Sequence, residues 1–262
     1  MKIPNFNTHE GAILYSNTVG TKISPKVASF LSEAAVTWLR EHPARDVLDI
    51  GCGPGTLSLP LAQGYPNLSV LGIDASVAMV EEAIKKAQAS GITNATFREL
   101  DAAKLDDLTG RAFDLALSNL AFPFFNQPQK SMKMVSGLLK EGGHTAFTVP
   151  GKRTWEEFFA VAKGVMGSMV DFARPFLVKF AQAEDLPNAM QGANLNDVEV
   201  NSFLVPFTFA NGTEVLNFFS ELFHLLDYAP PKARDGIIQA IDRDFPNGFT
   251  MHYEAVLVQG SK

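Results

Sequence analysis

The chain has 262 residues, 46% of them hydrophobic and 19% charged, which excludes disorder and leaves room for one large domain or two small ones. The net charge of -6 argues against nucleic acid as the main partner, because backbone-phosphate binding is driven by basic surface. One cysteine, Cys52, excludes an intrachain disulfide; with no apolar run of about 18 residues and no apolar signal core in residues 1–11, the chain reads as soluble, cytoplasmic and not inserted in a membrane.

Residues 24–41 predict a helix: Ser24 as cap, Pro25 in the first turn, and an apolar face of Val27, Phe30, Leu31, Ala34, Ala35 and Trp38. The short apolar run 46–50 predicts a buried strand entering a glycine turn. Helix is expected at 56–64, strand at 68–73, helix at 76–90, and strands at 95–100 and 113–118. A helix at 127–139 is expected to end near Gly142-Gly143, before a strand at 144–149. Strand and helix alternating at this pitch imply a mostly parallel α/β sheet with helices on both faces. A helix at 183–193 and long alternating runs at 198–209 and 249–258 predict an antiparallel pair at the sheet edge. Segments 151–182 and 211–246 read as helical insertions over one end of that sheet, and 1–44 as an N-terminal helical cap.

Strand, Gly-x-Gly-x-Gly and helix in succession have a physical use. Glycines adopt positive φ and let the backbone approach a ligand, and the helix start offers unpaired N–H groups to an anionic group. The dinucleotide fingerprint Gly-x-Gly-x-x-Gly does not fit: from Gly51 the third glycine falls on Thr56, and from Gly53 on Ser58.

The segment Val47-Leu48-Asp49-Ile50-Gly51-Cys52-Gly53-Pro54-Gly55 instead resembles motif I of class I S-adenosylmethionine-dependent methyltransferases, and further segments match in order over 45–150. The resemblance implies a Rossmann-like seven-stranded sheet in a single domain, with 45–150 as the cofactor-binding core. It also implies S-adenosyl-L-methionine as cofactor and S-adenosyl-L-homocysteine as product. In that reading Asp49 faces the methionyl amine, and Gly51, Cys52, Gly53 and Gly55 form the turn. Asp74 and Ala75 meet the ribose, and Met79 is an apolar wall for the adenine. Asp101 meets the adenine amino group with Ala102 beside it in the cofactor site, and Asn119 and Leu120 line the sulfonium and methyl.

The implied reaction moves a methyl group to an O, N or C nucleophile of a small, partly apolar molecule by in-line displacement. The five histidines are too far apart in sequence for paired metal ligands, so no metal is expected. Leu120 and Ala121 stand where amino-methylating enzymes of DNA bases and glutamine carry prolines, which lowers those substrates. Candidate bases are His224, in an apolar helix of the second insertion, Tyr15, and His144. Thirteen of the 21 phenylalanines lie in 151–262, where they either pack helices on the sheet or line an acceptor pocket.

Two alternatives stay open. Residues 113–121 resemble the carboxyl methyltransferases that act on an acyl-carrier-bound or free acid. A non-catalytic regulatory protein that holds the cofactor as a ligand is the rival of another class. An aminopropyl transferase is disfavoured by Asn119, where an acid is expected.

Overall fold

The structure, a computed structural model, describes residues 9–170, 185–223 and 229–262. Its strands are β1 (Asp46–Ile50), β2 (Ser69–Asp74), β3 (Ala95–Glu99), β4 (Phe113–Asn119), β5 (Leu139–Pro150), β6 (Asn196–Phe209) and β7 (Phe249–Ser261). They form one sheet in the order β3-β2-β1-β4-β5-β7-β6. The first five pair in parallel, with Asp49 opposite Gly72 on one side and Leu117 on the other. β7 runs against both its neighbours. Its end meets the start of β5, where Lys262 N–H donates to Gly143 O, and Thr208 of β6 faces Thr250 while Glu199 faces Gln259. The sheet is thus Rossmann-like, as expected, with an antiparallel pair at its edge.

Helices α1 (His9–Asn17), α2 (Val19–Lys22) and α3 (Ser24–Glu41) precede the sheet. The connections carry α4 (Ser58–Gly64), α5 (Val77–Ala89) and α6 (Pro128–Leu138), with 3-10 turns at Ala102–Leu108 and Phe122–Phe124. Later come α7 (Glu156–Met166), α8 (Asp185–Gln191), α9 (Gly212–Phe223) and α10 (Pro231–Asp244).

The described residues divide into two compact units, and β6 and β7 run through both. The larger takes 9–149, 185–202 and 256–262. Its core joins Leu48 and Ile50 of β1, Leu71 and Ile73 of β2, Phe122, Phe147 of β5 and Val258 of β7. These strands are buried on both faces, which is why their sequences are runs of Val, Leu and Ile rather than alternating patterns. The smaller takes 150–170, 203–223 and 229–255. Its centre is Trp155, whose ring lies 5.1–5.8 Å from those of Phe207, Phe218, Phe219 and Tyr253. Rings of the two insertions thus pack both on one another and on the rings of β6 and β7, mostly at the edge-on angles aromatic quadrupoles favour.

Two local expectations are corrected. Gly142-Gly143 does not end a helix. Leu139 already pairs with Phe113 and His144 with Leu115, so the residues between them bulge out of β5, with Gly142 at φ +74°. Ser24 does not cap α3. Ile23 occupies the cap position, and the Ser24 hydroxyl is turned toward the end of β4.

Candidate functional site

In an open parallel sheet, ligands bind beyond the carboxyl ends of the strands where the strand order reverses. Here that point lies between β1 and β4. The residues leaving β1, β2 and β4 at that edge are Gly51, Ala75 and Leu120.

The turn after β1 is built on positive φ at Gly51 (+71°), Gly53 (+54°) and Gly55 (+81°). Gly51 and Cys52 both donate N–H bonds to Ile73 O, which fastens the turn to β2. A Cβ at Gly51 would stand 2.2 Å from the Ala121 methyl, whereas one at Gly53 would meet nothing within 4 Å. The first glycine is there for close packing, and the second leaves backbone open. A recess of about 240 Å³, counting the part open to solvent, is lined by this turn together with Tyr15, Ser24, Asp49, Leu57 and Asn119.

Asp49 is the buried charge of the recess, only 1% exposed. Its Oδ2 accepts the Ser58 hydroxyl, and its Oδ1 has no hydrogen-bond partner among the described residues. Burial, with a smaller contribution from the Asp74 carboxylate, raises its pKa to about 7 against the hydrogen bonds from Ser58. An orphaned carboxylate oxygen in low dielectric is satisfied by a cationic donor, which also restores full ionisation. That is the structural observation fitting the amine of an amino-acid-bearing cofactor.

Asp74 ends β2 with both oxygens in use. Oδ2 accepts Gly53 N–H and Oδ1 accepts Ser76 N–H, each at 2.9 Å. Burial pushes its pKa up. Each carboxylate oxygen keeps a further lone pair, so the side chain can still accept from vicinal hydroxyls. Ala75 follows it half-buried, and Met79 is buried in α5. Asp101 Oδ1 accepts Ala103 N–H and caps the 3-10 turn that begins at Ala102.

Asn119 is almost fully buried, and its side chain is spent on the protein itself. Nδ2 donates to the backbone oxygen and hydroxyl of Ser24, and Oδ1 accepts the Thr148 hydroxyl. Next to it, Leu120 is held at φ +58°, a strained conformation for a branched residue, with its N–H donated to Thr148 O. Strain of this kind concentrates at ligand sites.

Tyr15 reaches the recess from α1. Burial raises its pKa most, Asp74 and Asp49 add to that, and a hydrogen bond with Ser24 opposes it. It is therefore a protonated phenol at neutral pH. Cys52 is buried and its thiol is pushed well up by burial and the two aspartates, so it remains a thiol rather than a nucleophile. His144 lies toward the start of β5, the opposite end of the sheet, bonded to Ser261 and stacked 5.6 Å from Trp38. His224 lies outside the described residues. No helix among the described residues is long and apolar enough to cross a membrane, and no group of metal-ligating side chains occurs among them.

The structure thus brings Tyr15, Asp49, the glycine turn and Asn119 to one recess, and hydrogen-bonds Asp74 to that turn. Sequence reasoning missed Ser58 and Thr148. The signal for Ser58 was nine residues after Asp49, one turn beyond the glycines, but only the fold shows which way its hydroxyl points.

A family profile described as a methyltransferase domain matches residues 41–193. A trans-aconitate 2-methyltransferase of Deinococcus radiodurans is 36% identical over 110 residues, 42% of this chain and 40% of that protein. A malonyl-[acyl-carrier protein] O-methyltransferase of Brevibacillus brevis is 24% identical over 183 residues, 68% of this chain and 64% of that protein. The chain thus spans less than two thirds of either relative. A solved Haemonchus contortus phosphoethanolamine N-methyltransferase 2, in complex with S-adenosyl-L-methionine, superposes with a TM-score of 0.58 at 17% identity. That superposition covers 98% of this chain and 58% of the other, and shows the shared fold.

Proposed function

The chain belongs to the methyltransferase-domain family, and on that premise we propose that it is an S-adenosylmethionine-dependent methyltransferase acting on a small, partly apolar acceptor. The observation that carries the reading is Asp49, a buried carboxylate with one unpartnered oxygen in a recess at the strand-order reversal. In this reading Asp49 takes the methionyl ammonium. Asp74 accepts from the ribose hydroxyls beside Ala75, and Met79 and Ala102 flank the adenine. Asp101, whose Oδ2 is not used by its cap, accepts from the adenine amino group. Gly51, Cys52, Gly53 and Gly55 present turn backbone, and Asn119 and Leu120 border the reacting end.

The cofactor would supply an electrophilic sulfonium methyl, so the chain has no electrophile to generate. Its own residues bind, align the acceptor in line, and exclude water. Tyr15 acts as a hydrogen-bond donor, because its phenol is held protonated. Where the acceptor is a hydroxyl, His224 is the proposed base. His224→Ala then lowers kcat at least tenfold with such an acceptor, and an unchanged kcat removes it. The segments 151–182 and 211–246 are assigned to acceptor selection, supported by the concentration of rings there.

A carboxylate acceptor is the second reading. It is favoured by the names of both curated relatives, one acting on trans-aconitate and one on a malonyl carrier. Calorimetry tests the site. Wild type is expected to bind S-adenosylhomocysteine at one per chain, and Asp74→Ala to weaken it at least tenfold, about 1.4 kcal/mol. That substitution removes both the ribose acceptor and the anchor of Gly53 N–H. Equal affinities would sink the assignment.

A further inference from the structure

One hydroxyl behind the recess wall, bonded to the carboxylate that lines it, has no place in the reading above. Ser58, the first residue of α4, is fully buried. Its hydroxyl donates to Asp49 Oδ2. An aspartate carboxylate turns over a broad range about its last torsion. That donation, from a fully buried neighbour, favours one angle, and the oxygen left without a partner among the described residues is Oδ1. Among the described residues, the titratable groups that act on Asp49 or are acted on by it are Asp74 at the end of β2, Tyr15 on α1 and Cys52 in the turn, and none of these is cationic.

We propose that Ser58 is a positioning residue for ligand selection: it aims Asp49 Oδ1 at a primary ammonium group, so that the site prefers adenosyl thioethers bearing a free α-amino group over those lacking the amino-acid arm. The proposal rests on the cofactor reading above. Its chemistry is directional. A carboxylate free to rotate pairs with an ammonium in many geometries and selects poorly, whereas a pinned one rewards a donor at one position. The hydroxyl also favours the ionised carboxylate against Asp74, because a hydrogen bond to the charged form stabilises that form.

The experiment compares two ligands that share the nucleoside. S-Adenosylhomocysteine carries the α-amino group, and 5′-methylthioadenosine lacks the whole arm. In Ser58→Ala, affinity for S-adenosylhomocysteine at pH 7 is expected to fall about tenfold, the loss of one hydrogen bond to a charged group. The pH midpoint of its binding is expected to rise by roughly one unit. Affinity for 5′-methylthioadenosine stays unchanged, which also reports that the recess is folded. An unchanged S-adenosylhomocysteine titration, or an equal loss for both ligands, overturns the role of Ser58. The parent reading fails separately, and is overturned if wild type binds neither ligand or if Asp49→Asn binds S-adenosylhomocysteine as wild type does.

Discussion

Replacing Asp49 by Asn is expected to stabilise the ligand-free protein at pH 8 while removing most of its affinity for S-adenosylhomocysteine. The Asp49 pKa is raised from 3.8 to about 7, chiefly by burial. Native protein therefore holds a proton between those values that the unfolded chain has lost, and stability falls as pH rises from about 4 to about 7. Above that window the penalty is complete. A shift of about three units corresponds to about 4 kcal/mol, and relaxation around the carboxylate reduces what a measurement will find. Asparagine does not ionise and still offers an oxygen to Ser58. Denaturant unfolding should show Asp49→Asn more stable by about 2–4 kcal/mol at pH 8, and nearly equal to wild type at pH 4. Binding should move the other way, down by 100-fold or more, since a charged pair is replaced by a neutral contact. Equal stability at both pH values would contradict the buried charge. A stabilising Asn that still binds would contradict its role.

The second large effect comes from the turn. Gly51→Ala adds a methyl 2.2 Å from Ala121 Cβ at a φ of +71°. Ala121 follows Leu120, which is itself strained and tied to Thr148, so the neighbour cannot retreat freely. A loss of about 3 kcal/mol in stability is expected from overpacking and left-handed strain together. Gly53→Ala is the control. It shares the positive φ but meets no atom within 4 Å, so its cost is strain alone, about 1 kcal/mol. Its methyl instead projects into open space beside the recess and should weaken ligand binding. Thermal melts and calorimetry on the two variants separate packing from access. Similar melting temperatures would refute the division of labour between the two glycines.

Much of this arrangement was readable before the fold. The core strands carry unbroken apolar runs, and α3 spans the range that its apolar face and Pro25 predict. Asp49, Gly51, Gly53 and Asp74 were legible because a strand end followed by a tight turn fixes backbone position locally. What was not legible depends on contacts far apart in sequence. Asn119 was legible as a candidate ligand contact, but not that its amide also bridges Ser24 and Thr148 from different elements. Ser58 entered the sequence reading only as the position where a third glycine would fall, and it is the fold that places Asp49 against it. Gly142-Gly143 matched a helix stop, and only pairing with β4 revealed a bulge. The helices at 9–22 fall inside the expected N-terminal helical cap, but no amphipathic pattern marked their bounds, and α2 is a single turn. Recognition of the acceptor is least legible of all, because packing rings and lining rings have the same composition.

The central claim is methyl transfer itself. Purified wild-type protein, incubated with methyl-labelled S-adenosylmethionine and a fractionated metabolite extract, is expected to move label into one small-molecule fraction. S-Adenosylhomocysteine should form in equal amount, and Asp49→Asn should suppress both. If S-adenosylmethionine binds at one per chain yet no label leaves it with any fraction, and no S-adenosylhomocysteine accumulates, the account is contradicted in favour of a protein that holds the cofactor only as a ligand.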